Sequence, residues 1–107
     1  MAKFVLLFKG GAPKEEEKEQ NMKDWGDWIA ELSGKGVYLG GYPFGMSRKV
    51  VNPDNSVTDY VGDASGYSLI EAESFDEAVA IAKTGPNQKY GGSTKVFDTW
   101  EMGNMPS

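Results

Sequence analysis

The candidate acids and bases singled out in this chain are carboxylates, since its 107 residues include no histidine and no cysteine. An imidazole base, a thiol nucleophile, a disulfide and any metal site built on His or Cys are excluded. Three acids stand out by position: Asp59, Asp63 and Asp98. They are dispersed, without the spacing that gathers carboxylates around one ion, so no metal site is expected. Asp98 shares a strand face with Val96 and Trp100 by period two. If that face is buried, its charge needs a partner or a raised pKa, which often marks a working site. An edge position, or a bond to Arg48 or a backbone N–H, is the plainer reading of Asp98. A turn or strand-end role that fixes loop backbone is the plainer reading of Asp59. Asp59 and Asp98 stand as catalytic candidates only, and no catalytic residue is assigned.

The aromatic residues offer a second kind of chemistry. Trp25, Trp28, Tyr42, Phe44, Tyr67 and Trp100 could line a cleft for a flat apolar ligand. Aromatics also dominate cores and subunit interfaces, and that alternative stays open. Gly10-Gly11 lies where a phosphate loop would lie, between a strand and a helix. It lacks the full glycine fingerprint and the Lys-Ser/Thr ending, and Glu15 to Glu17 beyond it would repel phosphate.

Composition narrows the partners. A net charge of −5 offers neither nucleic acid nor an anionic membrane a basic patch, so neither is expected as a partner. No apolar run approaches the roughly 18 residues of a membrane span. The short run in MAKFVLLFKGG is too brief for a typical signal peptide, and a cytoplasmic protein is expected. The hydrophobic share of 39% suits one small domain with a real core.

The positioning elements are legible in turn. Phe4 to Phe8 is apolar without alternation, which fits a strand buried on both faces. One face can meet helices, and the other argues for a partner subunit. A helix follows Pro13 and the three glutamates, with Met22, Trp25, Ile29 and Leu32 at helical spacing and Glu19 paired with Lys23. Gly26 in its middle marks close approach of another backbone or a tolerated defect. Val37 to Phe44 reads as a strand that bends or bulges near Gly40-Gly41 and ends at Pro43. Arg48 to Val51 and Val57 to Tyr60 flank the turn Asn52-Pro53-Asp54-Asn55 and form an exposed hairpin. Tyr67 to Ala72 is a strand that runs directly into a helix capped by Ser74, with a Phe75, Ala78, Val79, Ala82 stripe, stopped at Gly85-Pro86. Asn87 to Gly92 reads as a loop, and Thr94 to Met102 as the last strand. The domain spans 1–102 and a flexible tail 103–107. Removing the hairpin leaves βαββαβ, the ferredoxin-like order of an α+β protein.

These elements resemble a known family. Phe4 to Phe8, the Trp28-Ile29 helix, Gly36 with Gly40-Gly41, VVNPDNSVTD, Gly66-Tyr67, Phe75-Asp76-Glu77-Ala78 and Gly91-Gly92 are similar in order and spacing to the YCII-related family, in its DGPF branch. The resemblance implies a ferredoxin-like fold with an inserted hairpin, dimerising through the open sheet face into an α+β barrel. It covers about residues 3 to 101. The branch's Asp-Gly-Pro-Phe motif is matched only at Asp59. A His and an Asp are proposed as a catalytic pair in the family. Counted from Gly36 and Pro86, those positions hold Trp25 and Gly85, which cannot transfer a proton. Some relatives act as lyases or dehalogenases on muconolactone-like compounds, and others accompany sigma factors. The reading is a non-catalytic small-molecule-binding or regulatory module that needs no cofactor and pairs with itself. A carboxylate-dependent lyase, isomerase or dehalogenase on a small cyclic or lactone substrate is the alternative. A ligand is expected inside the dimer barrel or at its mouth, walled by Trp25, Tyr42, Phe44 and Tyr67 with Asp59 at the rim. It should be small and aromatic or lipophilic.

Overall fold

Leu6, Ile70 and Ser68 are the most completely enclosed large side chains, and they mark where the central strands meet the helices. In the computed structural model residues 1–100 are described. The last strand, expected over Thr94 to Met102, ends at Asp98, and residues 101–102 of that expectation and the tail expected over 103–107 lie outside the described residues. Strand β1 (Ala2–Lys9) leads through a 3₁₀ turn (Glu15–Glu17) into helix α1 (Lys18–Gly34) and edge strand β2 (Tyr38–Pro43). Strands β3 (Lys49–Val51) and β4 (Val57–Asp59) form a separate two-stranded sheet. Strand β5 (Ala64–Ala72), helix α2 (Phe75–Ala82), a 3₁₀ turn (Pro86–Tyr90) and β6 (Ser93–Asp98) follow.

The main sheet is antiparallel in the order β2-β5-β1-β6. Without the hairpin this is the ferredoxin-like arrangement, an α+β fold with an inserted β-hairpin. Period two divides its side chains. Phe4, Leu6 and Phe8 of β1 and Ser68, Ile70 and Ala72 of β5 are buried, together with Trp28 and Leu32 of α1 and Ala78 and Ala82 of α2. The alternate set, Val5, Leu7 and Leu69, is half-buried in the single chain, and Phe97 beside it is 47% exposed. One face of β1 is therefore core and the other lacks a full cover.

Local chemistry explains the helix ends. The Ser74 hydroxyl accepts the Glu77 N–H at 3.1 Å, so α2 starts where its cap residue stands. The Glu17 carboxylate accepts the Lys14 N–H at 2.9 Å and secures the turn before α1. The helices are joined by a bond of 2.8 Å from the Trp28 indole N–H to the Thr84 hydroxyl. The hairpin turn closes by the Asn55 N–H donating to the Asn52 carbonyl at 2.8 Å, with Asn55 at φ 68°. The arm's base is held by Arg48, which donates to the Gly45 carbonyl at 2.9 Å and the Ala64 carbonyl at 2.6 Å.

Four sequence expectations change. Gly26 has nothing within 4 Å of where a Cβ would stand, so no described backbone approaches it and the tolerated-defect reading holds. Lys23 pairs with Asp27 at 2.7 Å, in place of the pairing with Glu19. Phe75 is 48% exposed, since the short α2 turns its small alanines inward. Residues 86–90 are a 3₁₀ turn and not a loop: Pro86 at the start of the turn has a preset φ and no N–H to satisfy.

Candidate functional site

A cavity of about 510 Å³ lies between the N-terminal half of α1 and the adjoining ends of β1, β2 and β5. Its size falls within the range of small-molecule sites. Helix α1 contributes Trp25 and Ile29 to the wall, with Met22 and Asn21 one turn earlier. Strand β1 contributes Phe8, and the Gly10 to Pro13 loop follows it around the cavity. That loop needs its glycines: Gly10 and Gly11 have φ of 63° and 72°, and a Cβ on Gly11 would stand 3.0 Å from the Asn87 carbonyl oxygen. Asp63 fastens the same loop. Its backbone carbonyl accepts the Gly10 N–H at 2.8 Å, and its carboxylate lies 3.4 Å from the Lys9 ammonium.

The wall combines aromatic rings with small residues. The Trp25 ring meets Phe8 edge-on at 5.0 Å between centroids and Trp28 at 5.5 Å, so packing fixes its plane. Strands β2 and β5 supply the small residues Gly41, Gly66, Ser65 and Ser68 together with Tyr38, Tyr42 and Tyr67, and Gly66 is the cross-strand partner of Phe8. Ser68 shares a hydrogen bond of 3.2 Å with the Tyr38 hydroxyl, and both residues line the cavity. Two lining asparagines hold buried amide atoms without a partner, Nδ2 of Asn21 and Oδ1 of Asn87. The Asn87 orientation is set by Nδ2, which donates to the Ser93 carbonyl and the Thr94 hydroxyl, each at 3.0 Å. Among the described residues no Asp, Glu, Lys or Arg lines the cavity.

Of the five residues expected around a ligand, Trp25, Tyr42 and Tyr67 line this cavity. Phe44 lies outside the lining, stacked on Tyr67 at 6.1 Å and 28° between planes. Asp59 is not at the rim: it sits on the hairpin arm, exposed and paired with the Lys49 ammonium at 2.6 Å. Asp98 is exposed at the end of β6, opposite Phe4, and Arg48 serves the arm and not Asp98. Neither acid is buried in the single chain. Among the described residues no three acids gather where a metal ion could be held.

The cavity also lies elsewhere than expected, under α1 and not within the open sheet face. Residues on both sides of the β2 bulge reach its lining. Register along β2 slips between Tyr38 and Gly40, so Tyr38 pairs with inward Ile70 while Tyr42 pairs with Tyr67 of the open-face set. Tyr38, Ser68 and the two asparagines were not singled out in the sequence. Ser68 left a trace there, as a hydroxyl alternating with Gly66, Ile70 and Ala72 on one face of its strand.

The electrostatic anchor of the site stands beside it. The Asp24 carboxylate accepts from Gln20 at 2.7 Å and from Lys89 and Tyr90 at 3.1 Å each. The Gln20 amide and then the Lys89 ammonium hold the Asp24 carboxyl below its usual range, against the opposing effect of burial. Asp24 in turn raises the Lys89 ammonium, and burial followed by the bond to Asp24 raises the Tyr90 phenol. This cluster ties α1 to the 3₁₀ turn that carries Asn87.

No protein-family model matches the chain, and no curated protein matches it. Among solved structures it is similar to 5-chloro-2-hydroxyhydroquinone dehydrochlorinase (TftG) from Burkholderia phenoliruptrix AC1100, in complex with 2,5-dihydroxybenzoquinone. The TM-score is 0.54 and the identity 19%, over 92% of this chain and 93% of that one. At that identity the likeness is one of fold.

Proposed function

We propose that the protein is a cytoplasmic, homodimeric module of the YCII-related type that binds a small uncharged aromatic molecule in the cavity beneath α1. The observation that carries this reading is the lining: aromatic, aliphatic and small residues, with no ionised side chain to match a phosphate or carboxylate ligand. A cavity lined by rings interspersed with glycine and serine suits a flat molecule. The homodimer is supported by the incompletely covered sheet face of Val5, Leu7, Leu69 and Phe97. Sedimentation of the intact chain at twice the protomer mass, reduced to one by Leu7→Asp, is the expected result for the dimer.

The binding test is a titration with toluene and benzoate, followed by tryptophan fluorescence and amide chemical shifts. Toluene is expected to saturate a site whose shifted amides include Phe8, Trp25 and Ser68. Benzoate is expected to bind at least tenfold more weakly. Equal affinity for the two, or no saturable shift at all, would remove the reading.

The fold likeness to a dehydrochlorinase favours the enzyme alternative over a purely non-catalytic role. An elimination or isomerisation in this cavity would have to use hydroxyl or amide groups, since its lining holds no carboxylate. The discriminating assay is chloride release from 5-chloro-2-hydroxyhydroquinone. Turnover above the buffer rate supports the enzyme, and binding without turnover supports the module.

A further inference from the structure

Resting on the reading of the cavity as a site for a flat uncharged molecule, we infer that its ligand is an oxygenated ring, a phenol or quinone, anchored through oxygen by the Tyr38–Ser68 hydroxyl pair. The two hydroxyls lie 3.2 Å apart and line the cavity, and Ser68 is 2% exposed. Either oxygen can be the donor. Whichever proton lies between them, the other O–H is left over. Among the described residues neither hydroxyl has a second partner. A cavity-lining O–H that is not used within the pair can donate to a ligand oxygen within reach.

The surroundings limit what carries that oxygen. A Cβ on Gly41 would lie 3.0 Å from the Tyr38 hydroxyl oxygen, so the glycine leaves the pair an uncrowded backbone neighbour. The Trp25 and Phe8 rings, locked edge to face, present a fixed apolar wall to the body of a ring. The pair has no cation near it in the lining, which disfavours a carboxylate or phosphate oxygen and favours a neutral hydroxyl or carbonyl. Asn21 Nδ2 and Asn87 Oδ1 add an unpartnered donor and an unpartnered acceptor to the residues of the same cavity.

Phenol and toluene differ by a hydroxyl for a methyl on the same ring, and their affinity ratio isolates the anchor. Both are titrated against the full chain and against the double variant Y38F/S68A, with near-native thermal melting as the control for folding. The double variant removes both hydroxyls, because a single substitution leaves one O–H to serve the ligand. Its phenol affinity is expected to fall roughly fivefold relative to toluene, the weight of one neutral hydrogen bond. Toluene binding with an unchanged phenol-to-toluene ratio overturns the anchor and leaves the cavity reading intact. Failure of both ligands to bind the unaltered chain overturns both. If the double variant does not fold, nuclear Overhauser contacts decide in the unaltered protein. Contacts from phenol ring protons to the Ser68 methylene support the anchor, and contacts confined to Met22 and Pro13 overturn it.

Discussion

The Trp28 indole N–H and the Thr84 hydroxyl, 2.8 Å apart, join the two helices across 56 positions of sequence. Trp28 is 6% exposed, and the Thr84 hydroxyl passes its own proton to the Ile81 carbonyl at 2.6 Å. Thr84 therefore accepts from one helix while capping the other. Trp28→Phe removes the donor and part of the ring, and it should cost about 2–4 kcal/mol in urea unfolding. Thr84→Val keeps the shape and loses both bonds, with an expected cost of about 1–2 kcal/mol. A Thr84→Val chain as stable as the parent would show that the bond contributes nothing measurable.

Leu6 has no exposure and lies between β5 and β6 on the inward face. Leu6→Ala should cost roughly 2–5 kcal/mol. A denaturant midpoint shift worth less than about 1 kcal/mol would contradict the position given to β1.

Two glycines should respond in opposite directions. A Cβ on Gly41 would stand 2.3 Å from the Tyr67 carbonyl oxygen and 2.8 Å from the Ser68 Cα. Gly41→Ala must push β2 from β5, and a loss of at least about 2 kcal/mol is expected. Gly26 has open space around it, so Gly26→Ala should raise stability by about 0.5–1 kcal/mol through helix propensity alone. Destabilisation by Gly26→Ala, measured in the assembled protein, would reveal a neighbour on that side of α1.

The Asp24 cluster gives a pH dependence of definite sign. The Asp24 carboxyl is held low in the folded chain, so its contribution is present above the unfolded carboxyl range and is lost as pH falls through the folded pKa. Lys89 and Tyr90 are raised, so their contribution is present below their unfolded values and is lost as pH climbs through the folded ones. Asp24→Asn should flatten both limbs of the melting temperature plotted against pH. Unchanged limbs would mean that the cluster is fully screened by solvent.

Much of the fold was readable because local signals agreed with it. Ser74 stands where α2 begins, Asn52 to Asn55 make the turn, and the unbroken run in β1 announced a central strand. The site was less readable. Alternation along β2 puts Tyr38 and Tyr42 on one face, yet the bulge after Tyr38 sends them to opposite faces. The glycines foretold a bulge without saying which tyrosine it would turn inward. Asp59 was drawn to the rim by its place next to the cavity strand in sequence, whereas three residues of β4 carry it onto the arm. Asn21 and Asn87 lie 66 positions apart and meet only through the packing of the 3₁₀ turn on α1. No periodicity in the sequence encodes that meeting.

The arm of β3 and β4 closes its strand bonds only on itself. Breaking them does not require any bond of the four-stranded sheet to break. The molecule should therefore keep two clocks in deuterated water, a fast one for Val50, Val51 and Thr58 and a slow one for Leu6 and Ile70. The fast clock reports the free chain only. Anything that settles on the arm would slow it while leaving the slow one untouched, which makes the amides of six arm residues a built-in sensor of contact at that end of the molecule.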